Sequence, residues 1–343
     1  QQNKSSFRDP SGFIFKEDNK LLRQINLSYQ ADYDHLMKSG LYQELTKQNL
    51  IIAHTETDYP IKDSKGYKII SPQFIPFISY PYEWCFGQLK TAALVTLKIQ
   101  KIALQFGMSL KDASAFNIQF YKGKPVLIDT LSFELYKKEQ PWIAYKQFCQ
   151  HFLAPLSLMV YKDFRLNQLP RLFIDGIPLD LASQLLPWKS KLKFSLLTHI
   201  HLHARSQKHF ANKQIDKKRK SFSKNNLLAL IDSLESTTKK LSPSNLQTEW
   251  EKYYTFTNYS DTAFNDKKKS INTWIEKIKP QSVWDLGGNT GLFSRLASKQ
   301  NINTISFDID LLAVEKNYKD QIKNKEKHIL PLFCDLTNPS PDL

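Results

Sequence analysis

The order of hydrophobic and polar positions divides the chain into a strand-rich start, a mainly helical middle and a C-terminal α/β part. Gly12 to Lys16 and Lys20 to Ile25 predict a hairpin joined by a polar turn. Helical periodicity follows from Tyr33 to Lys47 and predicts one helix there. Ile69 to Ile78 resembles a strand interrupted by two prolines, which confines it to a sheet edge or splits it. This start therefore indicates a small sheet with a helix.

The middle of the chain is dominated by helical patterns. Phe86 to Phe106 is the longest such stretch, and the glycine after it predicts its end. Asn117 to Tyr121 and Val126 to Ile128 then predict a second hairpin. Helices are expected again from Trp142 to about Leu202. Breaks are expected in this region at its prolines, at positions 155, 170, 178 and 187.

The C-terminal part shows a different pattern, in which strands and helices alternate. One helix is marked by a single apolar face, formed by Ile271, Trp274, Ile275 and Ile278. After it, Ser282 to Leu286 predicts a strand, a glycine-rich turn follows, and a helix leads to the strand Ile302 to Phe307. Such units form parallel sheets that bind ligands beyond the carboxyl ends of the strands.

From these patterns we expect an α/β chain in four parts. Residues 1–80 form a small sheet-containing lobe and 81–204 a mainly helical lobe, while 205–245 connect them to an incomplete Rossmann-like domain at 246–343. A length of 343 residues and a hydrophobic content of 41% suit globular domains that each have a core. No apolar run reaches the roughly 18–20 residues of a membrane span, and the polar start lacks a signal-peptide core. A cytoplasmic location is expected.

Cysteine content and charge bear on metal sites, disulfides and anionic partners. The three cysteines have no CxxC spacing, which indicates reduced thiols rather than a zinc site or a disulfide framework. The net charge is +15, and eight Lys or Arg residues lie within 205–224, where Asp216 is the single acid. Because stacking aromatics are not interleaved there, a solvated linker is favoured over contact with nucleic acid or another polyanion. The sequence gives no indication of the oligomeric state.

The glycine-rich turn carries the most specific chemical pattern of the chain. Its glycines allow the backbone to approach a ligand, and Asp308 at the end of the next strand suits the two hydroxyls of a ribose. The run resembles motif I of class I S-adenosylmethionine-dependent methyltransferases, with Asn289 where a middle glycine usually stands. Its members are Asp285, Gly287, Gly288, Asn289 and Gly291.

This resemblance implies specific contacts with S-adenosylmethionine. Asp285 and Gly287 would hold the methionine end, Asp308 the ribose, and Asp335 the adenine amino group. A structural turn without a ligand is the alternative. Methyltransferases of this class have seven strands, whereas this sequence supplies three, so a fragment of a longer protein is expected. The sequence names no base for the reaction.

A second group of polar residues lies in the middle of the chain. Asp112, Asn117 and Asp129 are expected near one another, because a hairpin separates them. They resemble the catalytic loop and metal-binding acid of protein kinases and aminoglycoside-type phosphotransferases, which implies ATP, with Asn117 and Asp129 holding Mg²⁺. A glycine-rich phosphate loop is missing, and Arg23 is the candidate for the absent lysine. An inactive kinase-like domain, an active phosphotransferase and coincidental carboxylates all remain open.

The whole arrangement resembles bacterial two-part methyltransferases related to nodulation proteins. It implies methyl transfer to an unidentified acceptor, such as a small molecule or carbohydrate, held by the kinase-like part. A phosphotransferase and a non-catalytic anion-binding module are the alternatives. His199, His201 and His203 alternate, but packing is favoured over a metal site because no second ligand cluster accompanies them. Aromatic residues between 250 and 259 favour core packing over a ligand pocket.

Overall fold

The computed structural model of the chain describes residues 9–205, 222–243 and 260–340. Its first region is an antiparallel sheet of four strands: β1 (Gly12–Glu17), β2 (Lys20–Asn26), β3 (His54–Thr57) and β4 (Gly66–Pro72). The strand order is β1-β2-β4-β3. β1 and β2 form the expected hairpin, and Asp18 and Asn19 adopt the positive φ angles of its two-residue turn. The first hairpin prediction is confirmed.

Two expectations for this region need correction. The single helix predicted from Tyr33 to Lys47 is two helices, α1 (Gln30–Lys38) and α2 (Leu41–Lys47). Gly40 separates them with a φ of 91°, a backbone conformation that ends the first helix. β4 is not at an edge, because it pairs with both β2 and β3. Pro72 is its last residue, so the ring stands where the ladder stops.

The helical region begins with α3 (Phe86–Gln105), as the sequence predicts. Two short strand pairs follow, β5 (Met108–Leu110) with β8 (Phe133–Leu135), and the predicted hairpin of β6 (Ile118–Tyr121) and β7 (Lys124–Leu127). The next helices are α4 (Tyr145–Phe148), α5 (Ala154–Tyr161), α6 (Leu169–Leu172), α7 (Leu179–Leu185), α8 (Phe194–Leu196) and α9 (Lys224–Lys240). The mainly helical character of this region is as expected.

Pro155 does not break the chain's helical path, contrary to the prediction. A wide π-helical turn at Cys149–Leu153 links α4 directly to α5, and Pro155 lies in the first turn of α5. Proline lacks an N–H, and its ring collides with the carbonyl of the preceding helical turn. A π-helical turn is wider than an α-helical one, so it leaves space for the ring. Pro178 and Pro187, by contrast, stand immediately before helical segments, where proline is well tolerated.

The last region has the predicted alternation of helices and parallel strands. Its elements are α10 (Asp261–Ile278), β9 (Ser282–Leu286), α11 (Ser294–Ser298), β10 (Asn303–Asp308), α12 (Leu311–Lys323) and β11 (Ile329–Phe333). All strand pairs are parallel and the order is β11-β10-β9. The apolar face predicted on α10 is covered only in part. Ile275 is buried, whereas Trp274 and Ile278 are exposed.

The parallel sheet and the helical region share one hydrophobic core. Phe307 of β10 and Tyr318 of α12 belong to the same buried cluster as Leu89 of α3. Ile231 of α9 lies in this cluster too, so part of the expected connecting segment 205–245 is a packed helix. None of the helices described is both long and apolar enough to cross a membrane.

Candidate functional site

The carboxyl ends of the three parallel strands bring the predicted cofactor residues to one edge of the sheet. Asp285 lies at the end of β9, Asp308 ends β10, and Asp335 follows β11 by two residues. The last residues of the three strands are paired: Phe307 of β10 with Leu286 of β9, and Asp308 of β10 with Phe333 of β11. The three acids, which lie at or just beyond these strand ends, are therefore at the same edge of the sheet. This edge is where open α/β sheets bind their ligands.

The glycine-rich turn after β9 lies directly over the end of β10. The backbone N–H groups of Gly287 and Gly288 donate to the carbonyl of Phe307 at 2.9 and 2.8 Å. Gly287 has a φ of 81°, and a Cβ built on it would have no heavy atom within 4 Å. At Gly288 a Cβ would lie 2.4 Å from Ser306 Oγ, and at Gly291 it would lie 2.4 Å from Asn317 Nδ2. Neighbouring side chains therefore leave no room for a Cβ at Gly288 or Gly291, while Gly287 borders open space.

Asp308 is held by backbone donors from both sides. Asn289, whose φ is 49°, donates its N–H to Oδ2 at 2.7 Å, and Asp310 donates to Oδ1 at 2.8 Å. Burial raises the pKa of Asp308 above its ordinary value, although these hydrogen bonds oppose the shift. An ionised carboxylate has about four acceptor positions, so Asp308 retains capacity to accept from hydroxyl groups.

Asp285 and Asp335 have different surroundings. Asp285 Oδ2 accepts from Ser294 Oγ at 2.6 Å, and Ser294 is 2.8 Å from Ser306 Oγ. Asn317 donates to Ser306 at 3.0 Å, which completes a buried polar chain behind the turn. Asp335 is at the surface, where hydrogen bonds from Thr337 lower its pKa.

Sequence reasoning missed the polar chain behind Asp285. Ser294 lies three residues beyond the last glycine of the turn, which could have drawn attention to it. Ser306 and Asn317 lie on β10 and α12 and carry no pattern that would identify them. They support the turn from beneath, since their hydrogen bonds join β10, α11 and α12.

The second candidate group lies where the N-terminal sheet meets the helical region. Arg23 of β2 forms ion pairs with Asp129 and with Asp9, the latter at 3.3 Å. Ser132 donates to the other oxygen of Asp129, and Asn117 Nδ2 donates to Ser132 Oγ at 3.3 Å. Burial alone would raise the pKa of Asp129, but the Arg23 guanidinium and hydrogen bonds from Ser132 and Leu131 hold it below its usual value.

Side-chain hydrogen bonds link two of the three residues expected together through one serine. Asn117 and Asp129 are linked through Ser132, whereas Asp112 accepts hydrogen bonds from Ser114 N–H at 2.9 Å and Gln147 Nε2 at 2.8 Å. Among the residues that the structure describes, no hydrogen bond or ion pair connects Asp112 to Asn117 or Asp129. The N–H of Lys111, the neighbour of Asp112, donates to the Ser132 carbonyl at 2.8 Å, so the backbone before Asp112 meets the same serine. The grouping of all three residues stays a prediction.

Two of the three alternating histidines, His199 and His201, lie within hydrogen-bond distance of hydroxyl groups. His199 lies 2.8 Å from Tyr145 OH and 2.9 Å from Ser233 Oγ, and His201 lies between Ser183 and Ser190. Burial lowers the pKa of His199 to about 4. Over residues 9–205, 222–243 and 260–340 no group of three or more His, Cys, Asp or Glu residues is placed to hold a metal ion. Most of the basic stretch, and the aromatic residues at 250–259, lie outside the described residues.

The whole chain was compared with known protein families, sequences and structures. No protein-family model matches the chain. The chain is 30% identical over 345 residues to nodulation protein NoeA from Rhizobium meliloti (strain 1021), an alignment that spans 98% of this chain and 72% of that protein. The solved structure of vaccinia related kinase 3 aligns with 69% of this chain and 87% of its own at 10% identity. The TM-score of 0.34 is too low to assign a fold.

Proposed function

The chain belongs to the family of nodulation protein NoeA, and we propose that it transfers a methyl group from S-adenosylmethionine to an acceptor. One observation carries this proposal. The turn at Gly287 borders open space at the carboxyl edge of a parallel sheet, beside an acid whose position is held by two backbone N–H groups. A ribose-bearing cofactor needs this combination of close backbone approach and a fixed carboxylate.

The residues present suit the parts of this cofactor. Asp308 would accept from the ribose hydroxyls with the acceptor positions that Asn289 and Asp310 leave open. Gly287 would allow the methionine end to lie against the backbone, with Asp285 held nearby by Ser294. Asp335 would accept from the adenine amino group, because Thr337 engages only its Oδ1 in the hydrogen bonds described.

The chemistry of the reaction divides simply between cofactor and protein. S-adenosylmethionine supplies a methyl group on a positively charged sulfur, which any aligned nucleophile can attack. The chain contributes alignment, since the turn is fixed to the Phe307 carbonyl and supported by the polar chain from Ser294 to Asn317. The helical region shares a core with the sheet, and we infer that the N-terminal part binds or positions the acceptor.

Binding of the cofactor can be measured directly. Calorimetric titration with S-adenosylmethionine should show binding to the chain and a loss of at least tenfold on Asp308→Ala, a change of about 1.4 kcal/mol. Glu276→Ala, which removes an exposed acid from α10, is the matched control and should bind as the parent does. Absence of binding to the parent chain, and to a longer version that extends beyond residue 343, would refute the proposal.

A phosphotransferase is the second candidate, and the grouping of Asn117 and Asp129 favours it. Ser132 links these residues, and the Arg23 guanidinium pairs with Asp129. The ion pair between Arg23 and Asp129 opposes it, because the guanidinium occupies an oxygen that would otherwise bind Mg²⁺. An active form would require Arg23 to release this carboxylate.

The same calorimetric format separates the two candidates. A phosphotransferase predicts that ATP binds only in the presence of Mg²⁺ and that Asp129→Asn abolishes this binding. Asp163→Asn, at an exposed ion pair, serves as the control. Binding of ATP that ignores both Mg²⁺ and Asp129 would exclude this candidate.

A further inference from the structure

A groove lies at the amino edge of the parallel sheet, at the opposite end from Asp308. One cavity of about 530 Å³ is lined by the first residues of β9, β10 and β11, the β6–β7 turn and the segment 74–77. A second cavity of about 340 Å³ lies on the other side of the same turn. Tyr121, Lys122 and Lys327 line both cavities, so the two are parts of one groove. Since β10 has six residues, roughly 15–20 Å separates the groove from the carboxyl edge.

One end of this groove is apolar and aromatic. Phe74, Phe77 and Trp284 line the larger cavity, and Phe74 and Trp284 are 66% and 60% exposed. The rings of Phe77 and Trp284 meet edge-to-face with their centroids 5.7 Å apart, and Phe307 packs against both. Exposed aromatic surface grouped in a concave site is a feature of ligand pockets.

The middle of the groove is positively charged. Lys122, Lys124 and Lys327 line it, and its walls include no acidic residue. None of these three lysines forms an ion pair with any residue whose position is described. The nearest acid along the chain, Glu326, is bound by Arg295 at 2.9 Å. The groove therefore presents cations whose charge the surrounding protein leaves unbalanced.

The β6–β7 turn is built to bring these lysines together. Gly123 has a φ of 76°, and a Cβ on it would lie 2.5 Å from Glu326 O and from Gln321 Nε2. The turn thus packs directly on the backbone just before Lys327, which places Lys122 beside it in the groove wall. His328 also lines the larger cavity, and its buried Nδ1 has no hydrogen-bond partner in the described structure.

We propose that this groove binds a small amphipathic anion, with its apolar body against Phe74, Phe77 and Trp284 and its carboxylate, sulfate or phosphate group at Lys122 and Lys327. The aromatic walls match an apolar body, and the unbalanced lysines match a single anionic group. The site is separate from the carboxyl edge and does not depend on methyl transfer. Its ligand would bind in addition to S-adenosylmethionine and at a different place.

Four naphthalene probes test the proposal by calorimetric titration of the whole chain at low salt. They are 2-naphthyl phosphate, 2-naphthyl sulfate, 2-naphthoate and uncharged 2-naphthol. The three anions should bind more tightly than 2-naphthol, and their order identifies the preferred anionic group. Lys122→Asn with Lys327→Gln should weaken the anions about tenfold and leave 2-naphthol unchanged, since two exposed charges contribute up to about 2 kcal/mol together. Asparagine at 122 suits the left-handed backbone there, where φ is 49°.

Two further variants complete the test. Lys47→Gln with Lys240→Gln removes the same charge from exposed positions on α2 and α9, and it should bind all four probes as the parent does. Phe74→Ser, at an exposed position, should weaken the anions and 2-naphthol alike. Equal affinity for anions and 2-naphthol, no binding of any probe, or identical behaviour of the two double-lysine variants would each overturn the proposal.

Discussion

Arg23 and Asp129, which are 106 residues apart in sequence, form an ion pair that connects the N-terminal sheet to the helical region. Their side chains are 12% and 18% exposed, so both charges are largely removed from water. Asp9 and Ser132 satisfy further hydrogen-bonding groups of the same pair. The residues that resemble a phosphotransferase site thus have a structural role of their own in this chain.

Loss of the Arg23 charge should destabilise the protein strongly. Arg23→Met leaves the Asp129 carboxylate buried without its cation, and such losses cost about 3–5 kcal/mol. Arg165→Met is the control, because its pair with Asp163 is exposed and screened by water, so its loss should change stability little. Urea denaturation followed by circular dichroism measures both. Equal effects of the two variants would show that the Arg23 pair has no special structural role.

Alanine substitutions at two glycines should separate backbone strain from steric clash. Gly287→Ala adds a methyl group to open space, so only the left-handed backbone is penalised, by about 1–2 kcal/mol. Gly123→Ala has a similar φ and also places its methyl group 2.5 Å from Glu326 O, which should cost roughly 1–3 kcal/mol more. Denaturation midpoints test this order. Under the proposed function, Gly287→Ala should also weaken S-adenosylmethionine binding, whereas Gly123→Ala should not.

The parallel sheet should not unfold separately from the helical region. Glu315 of α12 accepts from the N–H of Gly87 at 2.7 Å, and Gln88 donates to Pro331 O at 2.9 Å. Glu315→Ala leaves the Gly87 N–H without its partner at the start of α3, a loss of about 1.5–3 kcal/mol. Glu276→Ala, on the exposed side of α10, should have little effect. Urea unfolding should show a single transition by fluorescence and by circular dichroism; two separated transitions would contradict the shared core.

Stability should fall as the pH decreases from about 6.5 to 4. Burial lowers the pKa of His151 and His199 to about 4, whereas the unfolded chain has histidine pKa values near 6.5. Within this window the unfolded state binds more protons, so each histidine removes up to about 1.4 kcal/mol of stability per pH unit. Denaturation midpoints between pH 7 and 4.5 measure the slope. His199→Gln should reduce it, and an unchanged slope would exclude a contribution from this residue.

Part of the candidate site could be predicted because its determinants are local. Asp18 and Asn19 adopt the positive φ angles that the turn of the first hairpin needs. Gly287 and Gly291 also have positive φ angles, so the end of strand β9 depends on the backbone conformation of nearby residues alone. Asp308 could be placed at the carboxyl end of β10 because the apolar run of that strand stops immediately before it. The partner of Asp112 could not be predicted in this way, because its carboxylate binds the amide of Gln147, 35 residues further along the chain.

The sequence by itself determined the local elements: the two hairpins, the long helix α3, and the order of strand, glycine turn, helix and strand that ends at Asp308. Periodicity and turn chemistry act over a few residues, so they are visible without a fold. Only the tertiary structure decided that Arg23 neutralises Asp129, that Pro155 lies within a continuous helical path, and that Lys122 and Lys327 share a groove. Those relationships join segments far apart in sequence, and packing alone sets the distances between them.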